Sequence, residues 1–202
     1  MAVIPWQLEE RPDTGTTNGR LAIWLFLASE VLFFGALFSA YLLLRLGQEA
    51  EGVWPRGAER LDLPLATINS VVLIASSITV MRAFEFAAAG AIGRSRRWLA
   101  LTFALGAVFV GVKLWEWNDK LSHGVDPATD LFSGLYFTLT GVHLAHLLGG
   151  MLVVAFFALI GGRASRTAQD AERYALRVEI AGIYWHFVDL VWLVLFAVLY
   201  LT

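Results

Sequence analysis

Apolar and polar positions alternate along this chain in long blocks. Five apolar stretches stand out, from about Leu21 to Leu44, Pro64 to Met81, Trp98 to Trp117, Leu131 to Ile160 and Ile180 to Leu201. Each approaches or exceeds the roughly 20 residues that a helix needs to cross a hydrocarbon core of about 30 Å. The pattern predicts an all-α, polytopic membrane protein, a bundle of five transmembrane helices. The second stretch is expected to run on as helix to about Ala91, with Arg82 and Glu85 spaced to pair. Loops are expected at Gly47 to Asp62, Gly93 to Arg97, Asn118 to Asp130 and Gly161 to Arg177, where Pro, Gly and charge collect. Residues 1–20 read as an N-terminal cytoplasmic segment and 21–202 as one membrane domain.

The last stretch is apolar except for Glu179, His186 and Asp189. On a helix these fall within roughly 80° of one another. A polar stripe of this kind is costly against lipid and is expected to face other helices. The fourth stretch places Gly134, Gly141, Ala145 and Gly149 on one face, a track for close helix approach, with His143 and His146 roughly opposite. In the second stretch Thr67, Ser70 and Ser77, with Asn69, Ser76 and Thr79 nearby, read as small packing residues.

Composition agrees with the pattern. The 202 residues are 58% hydrophobic and 16% charged, outside the range of an ordinary soluble domain. The formal net charge of −2 comes with no basic patch for nucleic acid. There is no cysteine, which excludes disulfides, thiolate metal sites and cysteine nucleophiles. No cleavable signal peptide is evident in the polar stretch Met1 to Gly19.

Cations are unevenly placed. Arg11, Arg20, Arg82, Arg94, Arg96, Arg97, Arg163, Arg166, Arg173 and Arg177 would share one side, ten against the four of Arg45, Arg56, Arg60 and Lys120. The positive-inside rule puts the N-terminus in the cytoplasm and the C-terminus outside.

Ionisable groups within membrane spans are functional candidates. Here they are Glu30, Lys113, Glu116, His143, His146, Glu179, His186 and Asp189. Lys113 and Glu116, three residues apart, read as a structural ion pair. The histidines are open to two readings. Two histidines one turn apart can bind metal; hydrogen-bonded core histidines, bonded across helices or to Glu179 and Asp189, are the alternative. The Glu-x-x-His motif of diiron bundles is absent. Glu30 sits about mid-span with no cation near it in sequence, so its partner is expected on another helix, with His143 and His146 the candidates.

The last helix carries a resemblance. Tyr184-Trp185-His186-Phe187-Val188-Asp189 followed by Val191-Trp192 closely resembles the terminal signature of subunit III of the haem-copper respiratory oxidases, the cytochrome c oxidase subunit III family. Ser29-Glu30-Val31, the Ser76-Ser77-Ile78-Thr79 run with Thr67 and Asn69, Lys113-Leu114-Trp115-Glu116-Trp117, and Thr140-Gly141-Val142-His143-Leu144-Ala145-His146 are similar to further family motifs, in the family's order. Glu179 keeps its family spacing before His186. The resemblance covers the chain from about Arg20 and identifies a short, five-helix bacterial form lacking the first two helices of seven-helix members. Those two helices form a lipid-holding cleft in the longer proteins.

The resemblance implies a subunit with no redox centre and no metal of its own, with haem and copper in partner subunits I and II and phospholipid as a further ligand. It implies a role in stabilising subunit I and in proton supply, within a proton-pumping oxidoreductase that takes electrons from cytochrome c. The chain contacts that donor only indirectly. Ser29-Glu30 favours the cytochrome c branch over the quinol branch. The implied location is the bacterial plasma membrane. The alternatives are a quinol-oxidase subunit III, a homologue serving nitric oxide reductase, a membrane metalloenzyme using His143, His146 and His186, and a small transporter.

Overall fold

The computed structural model describes residues 15–50, 54–55, 57–161 and 167–201. Arg11, Arg56, Arg163 and Arg166, four of the cations in the asymmetry, lie outside the described residues, as does most of the N-terminal segment. The elements are α1 (Asn18–Ala50), the short α2 (Gly57–Arg60), α3 (Leu63–Ala88), α4 (Ile92–Ser122), α5 (Leu131–Ile160) and α6 (Ala168–Tyr200). Five of these are long and apolar enough to cross a membrane, and no strand occurs among the described residues.

Several boundaries differ from the sequence expectation, each for a local reason. Residues 93–97 are not a loop; they form the first turns of α4. The turn lies one step earlier, at Ala89 to Ala91, where Gly90 adopts φ 71°, a conformation that costs glycine least. Arg94, Arg96 and Arg97 are good helix formers and continue the helix once the turn is made. The last helix begins at Ala168, well before Ile180, because Thr167 caps it by accepting from Asp170 N at 3.1 Å. Apolarity marks only the hydrocarbon-crossing part of a helix, so the sequence pattern does not show its polar first turns. Asp62 and Asp130 cap α3 and α5 in the same way, accepting from Leu65 N and Ser133 N.

The core forms around α6. It packs against α3, α5 and α1, while α4 packs between α3 and α5. Trp185 and Trp192 of α6 are both buried, and each indole donates to a serine of α3. Trp185 Nε1 reaches Ser76 Oγ and Trp192 Nε1 reaches Ser70 Oγ, both at 2.9 Å. The small residues of α3 therefore give room and also supply acceptors. Asn69 Nδ2 donates to Phe109 O, and Thr79 bonds Thr102, tying α3 to α4.

The small-residue track of α5 acts differently from the expectation. Ala145 is exposed, Gly141 faces the Trp117 ring, and Gly149 faces the Tyr184 hydroxyl. On α5 the closest approach to an aromatic ring is at Gly150, where a Cβ would lie 3.1 Å from the Tyr184 ring and 3.3 Å from that of Trp185. At these glycines α5 meets its neighbours through aromatic rings, which explains why glycine is needed beside them.

Candidate functional site

Three polar groupings lie between the helices. The first is the ion pair expected from spacing, Lys113 with Glu116 on α4, at 3.0 Å and almost fully buried. Sequence reasoning missed its other two members. Lys113 Nζ also donates to Tyr136 Oη at 3.0 Å and Tyr200 Oη at 2.6 Å. Both hydroxyls donate on to Glu116 Oε1, at 2.7 and 2.9 Å. The rings of Tyr136, Trp192 and Tyr200 also face the ammonium at 4.7 to 5.3 Å. A buried ion pair is stable only when extra hydrogen bonds complete it; that requirement is the signal that could have pointed to buried tyrosines.

The second grouping joins α1 to α5. His146 Nε2 lies 3.0 Å from Glu30 Oε2, and His146 Nδ1 bonds its own helix at Val142 O, at 2.8 Å. The expected partner of Glu30 is thus His146, not His143. The rings of Phe33 and Phe34 both lie against the imidazole, Phe34 edge-on at 5.0 Å.

The third grouping joins α3 to α6. His186 Nδ1 hydrogen-bonds Ser77 Oγ. Asp189 does not orient His186: neither of its buried carboxylate oxygens has a hydrogen-bond partner among the described residues. Glu179 belongs to none of these groups. It forms a bidentate pair with Arg20, at 2.8 and 3.0 Å, at the arginine-rich end of the bundle. Of the two expected arrangements, His146 and His186 take the cross-helix one, with Glu30 and Ser77, while Glu179 is taken by Arg20 from another helix.

His143 also departs from expectation. It is 1% exposed, and neither ring nitrogen has a hydrogen-bond partner among the described residues. It packs instead against the rings of Phe109 and Trp192. Among the described residues no three His, Asp or Glu side chains are placed to hold a metal ion, so His143, His146 and His186 serve three separate contacts.

Outside the spans, Arg60 pairs with Asp130, and Lys120 Nζ donates to Arg60 O at 2.9 Å. Partial burial raises the Asp130 pKa, but hydrogen bonds from Ser133 and Arg60 outweigh it and hold the carboxyl below the usual value.

The groupings use the same residues as the ordered sequence motifs, and comparison with known proteins agrees with that order. The family described as cytochrome c oxidase subunit III matches residues 13–202. A cytochrome c oxidase subunit 3 of Corynebacterium diphtheriae is 34% identical over 176 residues, 87% of this chain and 84% of the relative. One of Thermostichus vulcanus is 35% identical, over 90% of this chain and 86% of the relative. A cytochrome bo(3) ubiquinol oxidase subunit 3 of Pseudomonas aeruginosa is 33% identical, over 91% and 85%. The chain belongs to the cytochrome c oxidase subunit III family, a family of oxidase-complex subunits, and is a multi-pass membrane protein.

Proposed function

We propose that the chain serves as the non-redox subunit III of a bacterial haem-copper oxidase that draws electrons from cytochrome c. In this reading haem and copper reside in partner subunits I and II. The chain binds subunit I, stabilises it during turnover and aids proton supply. Phospholipid fills the gaps left between the subunits. The bundle lies in the bacterial plasma membrane with its arginine-rich end in the cytoplasm.

The observation that carries the reading is the pairing of Glu30 with His146, 3.0 Å apart. It joins two of the ordered family motifs at mid-span. An acid and an imidazole in contact can exchange a proton, and intramembrane acids commonly mark proton paths. The Lys113–Glu116 grouping is complete within the bundle and reads as structural.

A quinol-donating oxidase is the second reading, supported by the 33% identity to the bo(3) ubiquinol oxidase subunit. Purification of the tagged chain in mild detergent, with mass spectrometry of its companions, tests both. Recovery with oxidase subunits I and II, and oxygen consumption from reduced cytochrome c, is expected. Oxygen consumption from quinol alone would select the second reading, and recovery with a nitric oxide reductase would reject both.

A further inference from the structure

On α6, the residues that meet α1 and those that meet α3 lie on opposite sides. Ile180, Tyr184, Phe187 and Val198 face α1, against Gly19, Phe26, Phe34 and Tyr41. Gly182, Trp185 and Trp192 face α3. At about 100° per residue, a strip of α6 remains open between them. It carries His186, Leu190 and Val194. The result is a groove with α6 as its floor and α1 and α3 as its walls. At the arginine-rich end the same three helices line an open cleft of about 410 Å³, with Arg20, Phe84 and Glu179 among its walls. Leu190 on the floor is 59% exposed, and Ile78 on the α3 wall is 58% exposed.

The floor is not purely apolar. His186 Nδ1 is taken by Ser77. Its Nε2 has no hydrogen bond among the described residues, yet it is not sealed inside the bundle. A groove meant for acyl chains would leave this imidazole facing hydrocarbon, where unpaired polar groups are disfavoured. Its polar character therefore calls for a polar occupant.

We propose that the α1–α6–α3 groove seats a transmembrane helix of the catalytic subunit, and that this helix presents a hydroxyl side chain to His186 Nε2. A hydroxyl can donate or accept, so it satisfies either tautomer of the imidazole. A groove between helices accepts a single partner helix by ordinary ridge-and-groove packing. The inference rests on the oxidase reading above and names the face that the reading leaves open.

The test uses the intact complex. A photoreactive benzophenone amino acid replaces Leu190 in the groove, and Leu152 on α5, which is 72% exposed, as the reference. Illumination is expected to join the Leu190 variant to the catalytic subunit, and the Leu152 variant not. His186→Phe, which keeps bulk and removes the hydrogen bond, is expected to lower retention in the complex about threefold or more, as for one interhelical bond in a membrane. His186→Gln is expected to restore much of it. Cross-linking of Leu190 only to lipid, or only to a second copy of this chain, overturns the inference while the wild-type chain still co-purifies with the oxidase. If the wild-type chain co-purifies with no oxidase subunit, the oxidase reading and the inference fall together. Unchanged retention of His186→Phe removes the role given to Nε2.

Discussion

Glu30 and His146 are 116 positions apart in the chain, and their side chains meet at 3.0 Å, joining the helix that packs least with the rest to the core of the bundle. Of the five spanning helices, α1 has the smallest buried share. A polar tie therefore matters more for α1 than for any other span. Glu30→Gln keeps the shape and the bond but cannot titrate. It is expected to assemble normally and to alter proton uptake or the number of turnovers before inactivation. Glu30→Ala should in addition loosen α1 by about 0.6 to 1.7 kcal/mol, the span for interhelical bonds in membranes. Wild-type pumping and turnover lifetime in Glu30→Gln across the pH range would reduce this pair to a structural tie.

Lys113→Met would leave Glu116 buried beside two tyrosines with no cation. The expected loss is about 3 to 5 kcal/mol, as for a buried pair broken on one side. Lys113→Met with Glu116→Leu should recover most of it. Thermal unfolding in detergent measures both, and a double variant no better than the single would contradict the ion-pair account.

His143 loses no hydrogen bond when replaced, because it makes none among the described residues. His143→Phe is expected to stay within about 1.5 kcal/mol of wild type, as volume-conserving core changes do. His143→Ala should cost about 2 to 5 kcal/mol by opening a cavity beside Trp192. Neither should shift the haem absorption of the assembled complex. Equal losses in the two variants would point to a bonded role for the imidazole.

Asp130 links pH to the stability of the end of the bundle where it caps α5. Its pKa is lowered in the folded state, so its stabilisation is fully present above the unfolded value of 3.8. It is lost as pH falls through the lower folded value. Unfolding followed from pH 6 downward should show a loss confined to that acid window. Asp130→Asn should flatten it, and an identical acid profile in that variant would remove Asp130 as the cause.

Topology can be read from cysteines placed in the exposed connections. Ser95 is unsuitable because it is fully buried. Gly93, at the start of α4, and Pro127, before α5, are exposed. An impermeant thiol reagent added outside intact cells should label Pro127→Cys and spare Gly93→Cys. The reverse pattern would invert the orientation.

The sequence by itself determined the number and type of spanning helices, because each span must satisfy its own backbone bonds and cover itself with apolar side chains. It also determined the contacts within one turn, Arg82 with Glu85 and Lys113 with Glu116, since helical spacing fixes those distances. The family could be read from ordered short motifs. Tertiary structure alone decided which polar groups meet across helices. Glu179 pairs with Arg20, and His186 with Ser77, although spacing along α6 had grouped Glu179, His186 and Asp189 together. Those choices depend on the rotation and height of each helix against its neighbours. Rotation and height are set where Trp185 and Trp192 seat against Ser76 and Ser70, and where Gly106 and Gly150 admit the Trp185 ring. No periodicity within a single helix carries that information.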